Sequence, residues 1–171
     1  KGELDLMGPA MKVAGDLMSI PEITEPSDTP LGNEEQMVDG FKKAILMVAG
    51  SAVQKLMQSL AKEQEVLMNI ADMAIWTYLA ESVYLRVQKK INIQGEAACV
   101  HDIAIAKTYF YDAADKIAKA AKDAINSYAE GDEARMMLMG LKRFTKTQAF
   151  NPKESRQLIA QKLIEDGKYN F

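Results

Sequence analysis

The sequence predicts an all-α fold, an up-and-down bundle of about four long helices with short helices at its ends. Two long stretches, residues 51–94 and 96–130, contain neither glycine nor proline. Both carry apolar residues at three and four residue spacing, which is typical of helices and leaves little room for strands. With 171 residues, 48% apolar and 26% charged, the chain is long enough to enclose one core.

The first 32 residues are predicted to form an amphipathic segment and a proline-rich linker that precede the bundle. Leu4–Met18 has an apolar stripe of helical period, although two glycines and a proline weaken it. Residues 19–32 then contain three prolines among Ser, Thr, Glu and Asp, which favours an extended linker. We therefore expect a terminal segment and linker over residues 1–32 and a helical domain over residues 33–171.

The second helix is expected to begin at Asn33, whose side chain can cap it, with acidic residues following and Gln36 three positions on. One apolar face continues to about Lys62. Gly40 and Gly50 lower helix propensity but would let a neighbouring helix approach closely. The residues of this face are Met37, Phe41, Ile45, Val48, Ala52, Leu56 and Leu60.

The third helix is expected to follow a polar turn at residues 61–65 and to run to about Lys90. Its apolar residues cover more than half of its circumference. This coverage predicts a central helix with several neighbours. The residues concerned are Val66, Leu67, Ile70, Ala71, Ala74, Ile75, Tyr78, Leu79, Ser82 and Leu85.

Three further helices complete the prediction. Gly131 would end the fourth helix and Asp132 would cap a shorter fifth one. Asn151 and Pro152, with a glutamate at position 154, are typical of a helix start, and this last helix should end near Gly167. The buried face of the fourth helix is predicted at Val100, Ala104, Thr108, Tyr111, Ala114, Ile117, Ala121, Ala124 and Tyr128.

Charge and cysteine content exclude several classes of protein. The net charge is -3, with both signs mixed along the chain, so no basic surface for nucleic acid is expected. A single cysteine, Cys99, excludes an intrachain disulfide and fits a bacterial cytoplasm or an organelle matrix.

No apolar run reaches the length of a membrane-spanning helix. The sequence begins with Lys1 rather than Met, and we expect it to be part of a longer protein.

Metal and nucleophile chemistry find little support in the helices. A di-iron bundle needs Glu-x-x-His pairs, but the sole histidine, His101, has Ala98 three residues before it. His101 is therefore predicted to be a surface or capping residue. Cys99 lies early in a helix, where the dipole could raise its reactivity, but we expect it to be a small apolar filler. No glycine-rich phosphate loop occurs. We predict no catalytic, cofactor-binding or metal-binding residue in this chain.

Charged and sulfur-containing residues have structural interpretations as well. Asp72, Glu81 and Arg86 interrupt the most apolar helix, and an interhelical ion pair is a better explanation than acid–base catalysis. Methionines could form an adaptable binding surface, but ordinary core filling explains most of them. They are Met7, Met11, Met18, Met47, Met57, Met136, Met137 and Met139.

A resemblance to a known family emerges along the third helix. The segment 63–89, EQEVLMNIADMAIWTYLAESVYLRVQK, resembles a segment in the C-terminal extension of very-long-chain acyl-CoA dehydrogenases. Residues 101–124 are similar to the next helix of that extension. The opening 18 residues are similar to the stretch that joins the extension to the catalytic core. The ending YNF is similar to the apolar or aromatic end of the extension. The positions that match in order are Glu63, Gln64, Leu67, Ile70, Ala71, Asp72, Ala74, Ile75, Tyr78 and Arg86.

The resemblance implies a role without chemistry of its own. Complete members of the family introduce a trans double bond between the second and third carbons of a fatty acyl-CoA. Their electrons pass through FAD to an electron-transfer flavoprotein, and a glutamate of the core removes the proton. The implied role of this chain is a non-catalytic domain that packs on its own catalytic core and shapes a homodimer. The flavin and the catalytic base would lie before Lys1.

Two further expectations concern surfaces. The resemblance implies membrane association of the joining segment, but Lys1 and Lys12 are outnumbered by Glu3, Asp5 and Asp16, so contact through residues 4–18 should be weak. The alternative function is a free-standing helical interaction module that docks on a protein or membrane surface.

Overall fold

The computed structural model describes residues 7–18 and 25–168, and within these ranges it contains six α-helices and no strand. The all-α prediction is confirmed. Leu4, residues 19–24 of the predicted linker and the ending YNF lie outside the described residues. The helices are α1 Met7–Met18, α2 Gly32–Leu56, α3 Gln64–Gln94, α4 Val100–Tyr128, α5 Gly131–Phe144 and α6 Pro152–Asp166.

A non-glycine residue interrupts the second helix. Met57 has a φ of 47°, and the chain continues as a 3₁₀-helix, Met57–Lys62, before α3 begins at Gln64. The helical stretch thus reaches Lys62 as predicted, but its last turns are not α-helical. A positive φ is uncommon at a non-glycine residue, and neither a glycine nor a proline marks this position in the sequence.

The fourth helix, rather than the third, is the centre of the bundle. It contacts α2, α3, α5 and α6, and its alanine-rich face is buried. Phe110 of α4 stacks on Phe41 of α2 with ring centroids 6.2 Å apart. The Tyr128 hydroxyl donates a hydrogen bond to the Val48 carbonyl at 3.0 Å, and burial raises the pKa of Tyr128 to about 12. The predicted face of α4 is buried or half-buried except at Val100, which is 46% exposed.

The prediction of a central third helix is wrong. Only one side of α3 meets α2 and α4, and the residues buried there are Val66, Met73, Thr77, Ala80 and Val87. The apolar residues of α3 have the predicted helical period, but a second apolar face of the helix is exposed to solvent. Its members from the predicted set are Leu67, Ala71, Ala74, Ile75, Tyr78, Leu79, Ser82 and Leu85.

Glycines bring helices into close contact, as predicted for Gly40 and Gly50. A Cβ at Gly40 would lie 2.3 Å from the Phe144 carbonyl oxygen of α5. A Cβ at Gly50 would lie 2.4 Å from the Cβ of Ala10, which is buried on α1. The absence of side chains at these two positions therefore lets α1 and α5 approach α2.

Helix starts agree with the prediction at one of three places. The Asn151 side chain accepts a hydrogen bond from the Glu154 backbone N–H, and Pro152 opens α6, as predicted. Asn33 is not the cap of α2, because a turn closed by the Gly32 N–H and the Thr29 carbonyl starts the helix one residue earlier, at Gly32, and the Asn33 side-chain oxygen accepts no hydrogen bond among the described residues. Asp132 likewise lies inside α5, which begins at Gly131, and pairs with an arginine three residues on. The predicted end of α6 at Gly167, in the left-handed conformation, is confirmed.

A pair of hydroxyl groups attaches α6 to the bundle. Ser155 is buried, donates to the Ala104 carbonyl at 3.1 Å and lies 2.8 Å from the Thr108 hydroxyl. We expect Ser155→Ala to lower the free energy of unfolding by about 1 kcal/mol, because the buried hydrogen bonds of this hydroxyl with Ala104 and Thr108 are lost. Urea unfolding measures the difference. The neighbouring exposed change Gln157→Ala is the control and should leave the midpoint unchanged; equal effects of the two would contradict the assignment.

One helical stretch within the described residues, Gly32–Lys62, is long and apolar enough to cross a membrane by length and composition alone. This stretch includes α2, whose residues Phe41, Val48 and Ala52 are fully buried against the rest of the bundle. A helix of the core passes the same test. The packing of these residues accounts for part of its apolar composition.

Candidate functional site

The residues singled out for chemistry do not meet in one place. His101 lies half-buried in the first turn of α4, and Cys99 is fully buried just before it. Glu81 forms a 2.6 Å ion pair with Lys42 of α2, as expected for an interhelical pair, whereas Asp72 and Arg86 are exposed. Because both members of the Glu81 pair are well solvated, the pair contributes little stability.

Five methionines line an apolar cavity of about 590 Å³ between α1, α2 and α5. Met47 and Met137 fill the core, as predicted, whereas Met11, Met136 and Met139 are exposed at its edge. Sequence spacing could not predict that these residues lie together, because they come from three helices. The residues that line the cavity are Ala10, Met11, Ala14, Leu17, Met47, Gly50, Ser51, Gln54, Glu133, Met136, Met137, Met139, Gly140 and Arg143.

Few polar groups line this cavity. Lys55 approaches Glu133 to 2.5 Å and largely balances its charge, and the Ser51 hydroxyl lies 3.4 Å from the same carboxylate. Arg143 lies near the ring of Phe144, 5.9 Å from its centroid. The cavity thus offers apolar contact and one guanidinium, which suits packing against apolar groups better than acid–base chemistry.

A second, smaller cavity of about 90 Å³ contains a buried acid that the sequence did not single out as a site. Glu34 is 7% exposed, and one of its carboxylate oxygens has no hydrogen-bond partner among the described residues. Burial raises the pKa of Glu34, while a backbone hydrogen bond and the charge of Lys107 lower it by smaller amounts. In the sequence, Glu34 resembled an ordinary first-turn acid facing the helix dipole.

The surroundings of Glu34 indicate a structural site. The cavity has room for a few water molecules, and Lys107, Tyr111 and Phe150 complete its walls. Acid–base catalysis needs a second group held near a substrate-sized space. A single desolvated carboxyl in a space this small can hold water, and it cannot accommodate an acyl-CoA.

Glu34 predicts a pH dependence of stability. Its pKa is raised in the folded state, so folding becomes less favourable as the pH rises from the unfolded value of about 4.5 through the folded value. We expect Glu34→Gln to remove this loss, so that the variant exceeds the wild type in stability at pH 7 and the difference shrinks at pH 4. Chemical unfolding at several pH values tests this. A Glu34→Gln profile parallel to that of the wild type would refute the assignment.

Metal ligands are not assembled in the described parts of the chain. Over residues 7–18 and 25–168, no three side chains of His, Cys, Asp or Glu come close enough together to hold an ion.

A family model decides what kind of domain this is. Residues 40–143 match the family described as "Acyl-CoA dehydrogenase, C-terminal domain". The matched region is more than half of the chain, and it includes α3, α4, about two thirds of α2 and nearly all of α5. The chain belongs to this family.

Known acyl-CoA dehydrogenases resemble the domain over almost its entire length. A protein described as "Probable acyl-CoA dehydrogenase" from Bacillus subtilis is 34% identical over 170 residues, which is 99% of this chain and 28% of that protein. The solved structure of an acyl-CoA dehydrogenase complexed with FAD from Bacillus anthracis superposes with a TM-score of 0.93 at 36% identity, covering 99% of this chain and 29% of that one. The acyl-CoA dehydrogenase C-terminal domain described here thus spans less than a third of these relatives.

The described residues do not fit a flavin dinucleotide. A pyrophosphate group is usually bound by backbone N–H groups at a helix N-terminus that glycines leave open. The larger cavity lies mainly against the sides of its helices, and the first turn of α5 contributes to it only Glu133, whose carboxylate is paired with Lys55. This cavity therefore presents a carboxylate, rather than open backbone N–H groups, to a pyrophosphate. We therefore derive no flavin chemistry from this domain.

Proposed function

We propose that this chain is the non-catalytic C-terminal domain of a flavin-dependent acyl-CoA dehydrogenase of fatty acid β-oxidation. It packs on the catalytic core of the same polypeptide and shapes the assembly of a homodimer. The supporting observation is coverage: 99% of the chain matches 29% of an acyl-CoA dehydrogenase that was crystallised with FAD. A domain that accounts for so small a share of such an enzyme leaves the flavin and the catalytic base to the remainder.

Partners and location follow from this proposal. Electrons from the reduced flavin of the complete enzyme would pass to an electron-transfer flavoprotein, and no residue of this chain takes part in that step. The bacterial cytoplasm or an organelle matrix is the proposed location, and the fully buried Cys99 thiol is compatible with either. Membrane contact through residues 4–18 would be weak, because Ala10 and Val13 of α1 are buried against the bundle rather than free for lipid.

The proposal is tested with three proteins: the complete reading frame that contains the chain, the same protein truncated before Lys1, and Lys1–Phe171 alone. We expect the complete protein to show flavin absorbance and to oxidise acyl-CoA, and Lys1–Phe171 to do neither. Light scattering after size-exclusion chromatography should show that the protein truncated before Lys1 has a different oligomeric state from the complete protein.

Two results would contradict the proposal. One is acyl-CoA oxidation by Lys1–Phe171 alone at a rate near that of the complete protein. The other is a reading frame without a flavin-binding core before Lys1, which would favour a free-standing helical interaction module instead.

A further inference from the structure

The third helix has two apolar faces on opposite sides. At 100° per residue, Met68, Ile75 and Leu79 lie within about 40° of one another around the helix axis. Met73 and Thr77, which pack into the bundle, lie on the opposite side. The outward residues are 65%, 55% and 42% exposed, so the bundle leaves this second face uncovered.

The outward face of α3 is unlike the other exposed helix surfaces. From Leu67 to Ser82 its uncharged residues form a stripe about 24 Å long including both ends, at 1.5 Å per residue. Asp72 is the exposed charged residue at the edge of this stripe, and Arg86 and Lys89 follow beyond its C-terminal end. The outer surfaces of α4 and α6 instead carry charged residues throughout, including Asp115, Lys116, Lys119, Lys122, Lys153, Glu154 and Arg156.

Exposed apolar residues are concentrated on this helix. Of the large apolar side chains that are exposed among the described residues, seven lie on α3 and the rest are scattered over the 3₁₀-helix and the other α-helices. The seven are Leu67, Met68, Ile75, Tyr78, Leu79, Leu85 and Ile93. Single exposed apolar residues are ordinary on a protein surface, but a contiguous stripe of this kind marks an interface.

We infer that the outward face of α3 is the surface by which this domain packs on the catalytic core of its own polypeptide. The inference rests on the proposed function and adds which face is used. A helix that is apolar on two opposite sides connects two packed bodies, and the bundle supplies only one of them. The solved relative, of which this bundle is 29%, shows that a body of sufficient size exists in such enzymes.

Charge at the end of the stripe specifies the partner surface further. Arg86 and Lys89 are exposed at the C-terminal end of the apolar stripe, and Asp72 lies at its edge nearer the N-terminus. The core should therefore present an apolar surface opposite Ile75 and Tyr78, with carboxylates opposite Arg86 and Lys89. Unpaired buried charges at such an interface would be costly.

Oxidative footprinting of the wild-type protein tests this assignment without any substitution. Met68 and Tyr78 are 65% and 70% exposed on the stripe, and Met139 on α5, 64% exposed, is a matched methionine elsewhere. Hydroxyl radicals should oxidise all three in Lys1–Phe171. In the flavin-loaded complete enzyme we expect oxidation of Met68 and Tyr78 to fall by about tenfold or more and that of Met139 to stay nearly the same.

Substitutions provide a second, independent measurement. Ile75→Asp should leave the unfolding midpoint of Lys1–Phe171 within about 0.5 kcal/mol of the wild type, because the side chain is exposed there. In the complete enzyme it should separate the domain from the core, seen as proteolysis between them at lower protease concentration. Ile164→Asp on α6, where the isoleucine is 80% exposed, is the control and should change neither property.

The outcomes separate the inference from the proposed function. An active, flavin-loaded complete enzyme in which Met68 and Tyr78 remain as reactive as in the isolated chain overturns the choice of face only. Protection of Met139 with Met68 left reactive would place the core on the methionine-lined cavity instead. Protection of Met68 in Lys1–Phe171 that disappears on dilution would make a second copy the occupant, and a complete protein without flavin would overturn both proposals.

Discussion

Replacing Gly40 with alanine is expected to lower the free energy of unfolding by about 2 to 3 kcal/mol, near the upper end of overpacking costs. The new Cβ would lie 2.3 Å from the Phe144 carbonyl oxygen, a backbone atom that no rotamer change can move. Relief requires α5 to shift away from α2. The usual gain of about 1 kcal/mol from replacing a helical glycine offsets only part of this cost. Urea unfolding of Lys1–Phe171 measures the change.

Gly15→Ala is the matched control for this prediction. Gly15 is also helical, but a Cβ there would have no neighbour within 4 Å. The change should be neutral or stabilising by up to about 1 kcal/mol. If Gly40→Ala behaves like Gly15→Ala, the close approach of α2 and α5 is not present in solution.

Truncating Phe110 to alanine should be the most damaging single change in the core, costing about 3 to 5 kcal/mol. The ring is 1% exposed and stacks on Phe41, which is fully buried. Its loss would leave a cavity at the contact of α2 with α4, in a helix whose neighbouring alanines cannot fill the space. Because total stability of a domain of this size is about 5 to 15 kcal/mol, thermal unfolding should shift clearly.

Tyr78→Ala removes a comparable ring from the surface and serves as the comparison. Tyr78 is 70% exposed on α3, so the isolated chain should lose less than about 0.5 kcal/mol. A cost of less than about 1 kcal/mol for Phe110→Ala would contradict the described core. A large cost for Tyr78→Ala in the isolated chain would mean that the outward face of α3 is already covered there.

Helix positions and the buried face of α4 were predictable because local chemistry determines them. The helix start at Asn151 has a cap, a first-turn proline and an acid in register, and these signals reinforce one another. Asn33 has equally good local signals, but the turn from Thr29 to Gly32 overrides them and starts the helix one residue earlier. A contact between residues brought together by a turn leaves no periodic trace in the sequence.

The candidate sites were harder to predict because burial depends on neighbours that periodicity does not reveal. The two faces of α3 have the same apolar character, and only the packing of α2 and α4 distinguishes Met73 from Ile75. The burial of Glu34 was equally hard to predict, because none of its neighbours in the sequence indicates that its carboxylate is withdrawn from water. The methionine-lined cavity joins residues of three helices and so has no local signature.

The alanine face of α4 has an evolutionary consequence. Ala113, Ala114, Ala121 and Ala124 are almost completely buried, so the axis of the bundle is filled by short side chains and closely spaced backbones. New chemistry inside such a bundle would require its helices to separate before any prosthetic group could enter. Adaptation within this lineage is therefore expected to proceed by exchange of outer residues, while the interior changes slowly.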